Sequence, residues 1–401
     1  MQSLNSRAGK TVRQSSGYIA YVPSLLPPDP PIAYDSETIR LLSDADQALG
    51  NLAGISSFLP NPDLFAAMYV KKEAVLSSQI ENIQCTLEDV LQHEADKDGA
   101  VGTKDVGEVV NYVNAMNFGI ERMKTLPLSL RLLREVHERL MAGVRGEHKF
   151  PGEFRRTQNW IGPIGVSLAN AAFVPPPPQE MNQALSNLEI FMHDTTSMPI
   201  AVQCAVVHAQ FETIHPFLDG NGRIGRLMVS LLLHERQVLV QPLLYISLFL
   251  KQNRTEYYDR LMAVREKGDW EGWIKFFLRG VSQVGREAAR TAQRVIVFRE
   301  NLLDGARKLG KNEMELAKLL FSNPILDIRT AQKLLGCSYV TASTTMQSLV
   351  KEGCVRELTG NKRNKLYKFH GYTDLFEDQM TAVELDVEGS ESAQVERERG
   401  G

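Results

Sequence analysis

His215-Pro216-Phe217-Leu218-Asp219-Gly220-Asn221-Gly222-Arg223-Ile224-Gly225-Arg226 is the stretch on which the reading of this chain turns. It places a base, a carboxylate, three glycines and two guanidinium groups within twelve residues. Before it, VQCAVVHAQFETI has apolar residues at helical spacing, and after it RLMVSLLLHERQ does so again. The stretch is therefore expected to be a loop between two helices, with its glycines at the entrance of the second. A helix entrance offers unpaired backbone N–H groups and the positive end of a dipole, which favour a bound anion such as phosphate.

Working outward, each residue type has a job in phosphate chemistry. His215, uncharged near neutral pH, suits a general base acting on a hydroxyl. Asp219 suits a divalent cation, commonly Mg2+, which bridges phosphate oxygens and keeps several waters. Gly220, Asn221 and Gly222 let backbone approach closely and can form an anion nest. Arg223 and Arg226, three apart on the first helical turn, can clamp different phosphates from one face. The bland alternative is a glycine-rich interhelical turn with two solvated arginines and a capping histidine.

The 401 residues are 43% hydrophobic and 23% charged, with a formal net charge of -3 and a pI near 6.3. Such a chain can bury a large core and is expected to form two or three domains, with no global charge that would draw it to nucleic acid or a membrane. Cys85, Cys204, Cys337 and Cys354 are far apart and contain no Cys-x-x-Cys pair, so neither a zinc module nor a disulfide framework is expected. The amino terminus has no continuous apolar run, and stretches such as LMVSLLL are too short to span a bilayer. These features place the protein in the cytoplasm.

Residues 1–34 are rich in Ser, Gly and Pro, and read as an extended arm without regular structure. Ser36 is expected to cap a first helix, and a second is expected to begin near Asn61-Pro62 and to run through FAAMYVKKEAVLSSQIE. Helical stripes recur in EVVNYVNAMNFGIERM, LSLRLLREVHERLMAG and EMNQALSNLEIFMHD. FRRTQNWIGPIGVSLANAAFVPPPP, between the last two, reads as a hairpin or flap ending in a polyproline turn. Two or three more helices follow the loop, the last of them long. From Met314 the pattern becomes three short helices and CVRELTGNKRNKLYKFH, a two-stranded wing, as in a winged helix-turn-helix. The acidic stretch from about Asp374 reads as a disordered tail.

HPFLDGNGRIGR resembles the full signature of the Fic family, and the helices around it, roughly 110 to 280, resemble the Fic domain. The resemblance implies transfer of AMP from ATP to a Ser, Thr or Tyr hydroxyl of a protein, itself included, with release of pyrophosphate. By position, His215 would deprotonate the target hydroxyl and Asp219 would hold Mg2+ between the α- and β-phosphates. The backbone of Gly220 to Gly222 and Asn221 would cradle the phosphates, with Gly225 in the same nucleotide-binding loop. Arg223 would take the β-phosphate side, Arg226 the γ-phosphate, and Phe217 would pack beneath the loop. Ile161, Gly162 and Val174 fall in the segment that resembles the family's flap, which aligns the target peptide and borders the nucleotide. Tyr257 and Tyr258 resemble the aromatic pair beside the adenine, with core packing as the alternative. Arg265 falls at another nucleotide-contacting position.

Ser77-Ser78-Gln79-Ile80-Glu81-Asn82 matches the inhibitory motif Ser/Thr-x-x-x-Glu-Gly/Asn of many Fic proteins. A glutamate at the end of a docked helix, about 62–82, would pair with Arg226 and take the γ-phosphate's partner. Ser77 and Asn82 flank it in the motif, and the bland alternative is a solvent-facing Glu81 on an amphipathic helix. A hydrolytic removal of AMP, with Glu81 positioning water, is open at the same site. His208 reads as a packed histidine, and His137 and His148 have no metal-ligand spacing partner.

The expected architecture is mainly α. Its parts are an amino-terminal region with the inhibitory helix (1–105), a helical catalytic core with a small β-hairpin flap (106–305), a winged-helix module (306–373) and the tail (374–401). The module supports a second functional class, a DNA-binding regulator, because Arg329, Lys333, Lys351, Arg356, Lys362, Arg363 and Lys365 give local positive charge. Its third helix, SYVTASTTMQSLVKEG, has few Arg or Asn for base edges, so protein interaction or homodimerisation is the favoured role.

Overall fold

A computed structural model describes residues 6–15, 17–59, 61–95, 103–144, 146, 148–162, 165–306, 308, 310–359 and 365–376. The fold is mainly α, as expected. In chain order the helices are α1 Ser36–Ser56, α2 Pro62–Ile80, α3 Leu87–Ala95, α4 Lys104–Arg122, α5 Leu130–Leu140, α6 Pro178–His193 and α7 Ile200–Ile214. They continue with α8 Asn221–Glu235, α9 Ile246–Gln252, α10 Arg254–Lys267, α11 Trp270–Ala306, α12 Lys311–Leu320, α13 Ile328–Leu335 and α14 Tyr339–Lys351. The strands are β1 Lys10–Arg13, β2 Ile19–Val22, β3 Ile325–Asp327, β4 Arg356–Glu357 and β5 Leu366–Lys368.

Local chemistry sets the helix starts that matter for the site. Asn61 accepts a hydrogen bond from the Leu64 N–H at 3.2 Å, and Pro62 supplies a pre-set φ at the first position of α2. Thr103 caps α4 and Ser129 caps α5 in the same way. The cap of α1 is Asp35, not Ser36: Asp35 Oδ1 takes the Thr38 N–H at 2.8 Å, and Ser36 is the first helical residue.

Helices α7 and α8 lie at the centre, and a helix enclosed this way has no polar face to show. Every residue of α7 from Ala201 to Ile214 is buried, and α8 is buried from Arg223 to Leu233. Around them pack α4 and α5 on one side, α6 on another, and α2 with α9 against α8 and α11. Trp273 of α11, fully buried, donates its indole N–H to the Ala205 carbonyl of α7 at 2.8 Å.

The amino-terminal arm departs from the expectation of unstructured chain. β1 and β2 form an antiparallel hairpin in which Lys10 faces Val22 and Arg13 faces Ile19. The Tyr21 N–H reaches the Val174 carbonyl at 2.9 Å, so the hairpin extends the flap. Beyond it the chain is extended, and Asn187 clasps both backbone groups of Leu26 at 2.7 and 2.9 Å.

At the other end, α12, α13 and α14 pack on one another, and α13 meets β3 of a sheet of order β3-β5-β4. β3, which pairs Ile325 with Lys368, was not anticipated in the sequence. Lys362 and Arg363 of the expected wing lie outside the described residues. Residues 370–376, which include the expected start of the tail, are helical, and Phe376 is buried with its ring centroid 5.8 Å from that of Phe65 in α2. Residues 377–401 lie outside the described residues. Among the described residues, no helix is long and apolar enough to cross a membrane.

Candidate active site

The loop between α7 and α8 begins with a residue out of its ordinary conformation. His215 ends α7 in the left-handed region, φ 49°, while its N–H still bonds the Phe211 carbonyl at 2.9 Å. A residue with a β-carbon holds this conformation only when its surroundings insist on it. Here they do: the His215 carbonyl accepts from Arg155 Nε at 3.0 Å and from Asn159 Nδ2 at 3.1 Å.

Asn221 closes the loop from the far side. Its Oδ1 accepts from the Phe217 N–H at 2.8 Å and its Nδ2 donates to the Phe217 carbonyl at 2.9 Å. The buried Asn221 side chain thus braces the loop through the Phe217 backbone. Phe217 is fully buried beneath, as expected, and stacks on His137 with ring centroids 3.7 Å apart. His137 accepts from the Gly152 N–H on Nδ1, which leaves Nε2 to donate to the Asp219 carbonyl at 3.0 Å. Burial pushes the His137 pKa down to about 4, so it braces the loop as a neutral ring.

Two groups of the loop remain turned to the open side. The His215 side chain is 20% exposed, and burial followed by the charges of Arg265 and Arg155 pushes its pKa down to about 4. Asp219, 30% exposed, meets Lys149 Nζ at 3.0 Å and takes the Gly220 N–H on Oδ1 at 2.7 Å. Burial opposes its charge, but Lys149 and then Arg223 outweigh that and hold the carboxyl below its ordinary range. Gly220, at φ 75°, then turns the chain into α8, a conformation that costs glycine nothing.

The two arginines of α8 are buried, and each has a carboxylate. Arg223 donates to Glu108 Oε2 of α4 at 2.8 Å and lies 3.9 Å from Asp219 Oδ1. Arg226 donates from Nε to Ser77 Oγ and from Nη2 to the Ser77 carbonyl, both at 2.9 Å, and from Nη2 to Glu81 Oε1 at 2.8 Å. Burial alone would weaken the Arg226 charge, but Glu81 more than compensates. Burial would likewise favour neutral Glu81, and Arg226 overrides it. Glu81 is the C-cap of α2, and the next residue, Asn82, sits at φ 62°. Asparagine and glycine are the residues that accept that turn most readily, which explains the last position of the motif.

Glu81 also touches the glycines: a β-carbon on Gly222 would collide with its carboxylate. Gly225 answers to a different neighbour, since a β-carbon there would stand 2.5 Å from Glu212 Oε1. Gly225 therefore gives room to α7.

Ile161 pairs with Phe173 at 2.8 and 3.1 Å in a single antiparallel bridge, with Gly162 beside it and Val174 at its base. Arg265 is buried and donates to Thr213 Oγ1 at 3.1 Å and to the Glu212 carbonyl at 3.2 Å, with its guanidinium 3.9 Å from the Phe173 ring centroid. It locks the end of α7 to the flap. Tyr257 is fully buried, its hydroxyl 3.0 Å from His208 Nε2, whereas Tyr258 is 41% exposed. Core packing thus holds for Tyr257 alone. Glu108, Lys149, Arg155 and Glu212 carry no signal in the sequence except, for Glu212, its place one turn before His215.

Residues 39–121 match the family model described as Fic/DOC family N-terminal, and residues 127–233 match that of the Fic/DOC family. A protein adenylyltransferase Fic from Culex quinquefasciatus is 32% identical over 154 residues, covering 37% of this chain and 27% of that protein. One from Drosophila grimshawi is 30% identical over 169 residues, covering 42% of this chain and 30% of that protein. The chain spans less than a third of the length of either relative. A solved Fic family protein from Desulfovibrio desulfuricans G20 superposes with a TM-score of 0.56 at 21% identity over 85% of this chain and 98% of its own, which is a likeness of fold.

Proposed function

The chain belongs to the Fic family over residues 39–121 and 127–233, and on that premise we propose that it is a protein adenylyltransferase held in check by its own Glu81. It moves AMP from ATP to Ser, Thr or Tyr hydroxyls of proteins, itself included. One observation carries this reading: the carboxylate of Glu81 sits on Arg226 at the entrance of α8, where an anionic phosphate is favoured, within the loop that holds His215 and Asp219.

The neutral His215 imidazole takes the proton of the target hydroxyl. That oxygen attacks the α-phosphorus, and the bond to the bridging oxygen breaks, so pyrophosphate leaves with the electron pair. Arg226, once Glu81 withdraws, holds the γ-phosphate. Arg223, anchored by Glu108, backs the phosphates and keeps Asp219 ionised. Tyr258 stands beside the adenine, with Tyr257 behind it, and Ile161 to Val174 guide the target backbone.

Asp219 fits Mg2+. It is a single ionised, part-exposed carboxylate, and among the described residues no group of three or more His, Cys, Asp or Glu forms a cage. Mg2+ suits a site where one carboxylate joins waters and phosphate oxygens. Held by Asp219, the ion would neutralise phosphate charge.

The carboxyl-terminal module, 306–373, acts as a winged helix that contacts protein, another copy of the chain included. At the start of α14 it exposes Tyr339 and Val340, by 50% and 73%, rather than groups that read base edges. Labelled ATP with Mg2+ tests the enzymatic reading: Glu81→Gly incorporates AMP well above the wild type. Equal and background incorporation by both forms would overturn it.

A further inference from the structure

Glu212 lies on α7 one turn before His215, and no role has been given to it above. It is 6% exposed, and Oε1 has no hydrogen-bond partner among the described residues. Oε2 lies 4.0 Å from His215 Nδ1, which is itself buried without a partner. The Glu212 carboxyl and the His215 ring thus each keep an unsatisfied buried atom, Oε1 and Nδ1, and the second carboxyl oxygen lies nearest the ring; such groups are costly in a dry site unless they engage at some point in the cycle. Gly225 makes the space for this carboxyl, so two separate elements are shaped around it.

Resting on the adenylyltransferase reading, we propose that Glu212 is a positioning residue for His215: its carboxyl accepts a hydrogen bond from Nδ1–H, fixes that tautomer and leaves Nε2 free to accept the proton of the target hydroxyl. Only one ring nitrogen of a neutral imidazole carries hydrogen, so the partner of Nδ1 decides what Nε2 can do. The 4.0 Å separation closes by a small side-chain rotation, as such contacts do when substrate arrives. In the transition state the ring gains charge, and a carboxylate behind it stabilises that charge.

The charged groups that face Glu212 are Arg226 of α8, Glu81 at the end of α2 and Arg265 of α10. Burial raises its pKa to about 7, Arg226 opposes that, and Glu81 adds to it. Withdrawal of Glu81 therefore favours the Glu212 carboxylate. The contact that blocks the γ-phosphate also weakens the base behind it.

The test uses the full chain carrying Glu81→Gly, labelled with 15N-histidine. At neutral pH the nitrogen shifts of His215 are expected to report the Nδ1–H tautomer. Glu212→Ala in this background shifts the population toward Nε2–H and lowers kcat by roughly 10-fold or more, with the KM for ATP changed less than about twofold. Glu212→Gln, which keeps an acceptor, restores the tautomer. An Nε2–H tautomer in the Glu81→Gly protein overturns the proposal without any variant at 212, as does an unchanged kcat in Glu212→Ala. A Glu81→Gly protein that transfers no AMP would sink the adenylyltransferase reading instead, and the tautomer would still be decided by the shifts.

Discussion

Glu81 Oε1 lies 2.8 Å from Arg226 Nη2 across 145 residues of chain, and its carboxylate fills the space that a β-carbon on Gly222 would need. On the proposed reading, the glycine that would let backbone approach a phosphate also makes room for Glu81, so the two would compete for the α8 entrance.

The turn at Asn82 holds that contact in place. A β-branched residue in the left-handed region costs about 1–2 kcal/mol. Asn82→Val should loosen the end of α2 and raise AMP incorporation several-fold in an otherwise wild-type chain, whereas Asn82→Gly should leave it near the wild-type level. Labelled ATP measures both.

The Arg223–Glu108 pair carries stability, with side chains only 3% and 2% exposed. Glu108→Ala leaves a buried guanidinium without its carboxylate and should cost about 3–5 kcal/mol. Glu81→Gly also removes a carboxylate from a buried guanidinium, but Arg226 keeps Ser77 Oγ and the Ser77 carbonyl and the lost carboxylate is 38% exposed, so its cost should be smaller. Thermal unfolding compares them, and equal losses would contradict the division between a structural and a regulatory pair.

A buried carboxyl in α2 gives a pH dependence. Glu73 takes hydrogen bonds from Tyr112 and Ser247, yet burial raises its pKa from 4.5 to about 7, against the opposing pull of Ser247, Arg226 and Tyr112. A carboxyl with a raised folded pKa contributes stability that is full below its unfolded pKa and is lost as pH rises through the folded one. Stability should fall between about pH 4.5 and 7. Glu73→Gln should flatten that slope, in part only, because Glu212 titrates in the same direction. Denaturant unfolding across that window measures it.

Lys149, 3.0 Å from Asp219, would compete with Mg2+ for that carboxylate on the proposed reading. Lys149→Met, in the Glu81→Gly background, should lower the Mg2+ concentration for half-maximal transfer several-fold. An unchanged Mg2+ dependence would speak against Asp219 as the residue that holds the ion.

The part of this protein legible in its sequence is the part encoded locally. Two apolar helices around a glycine loop, the neutral histidine, the capped start of α2 and the inhibitory motif all follow from spacing and residue type. What escaped was set by residues remote in the chain. Nothing local reveals that Asn221 braces Phe217, that Gly225 makes room for Glu212 or that Arg265 lies against Phe173 of the flap. The hairpin of β1 and β2 was missed because its strands are short and mostly exposed, and its anchor, Val174, lies 153 residues from Tyr21. Tyr257 and Tyr258 are neighbours in sequence, yet only burial separates the core ring from the one that faces the site.

Intact-mass measurement after incubation with ATP and Mg2+ tests the central claim, that Glu81 restrains a transfer which His215 carries out. The Glu81→Gly protein should gain one or more AMP increments, the wild type few, and Glu81→Gly combined with His215→Ala none. AMP increments that persist without His215, or a wild type modified as fully as Glu81→Gly, would contradict it.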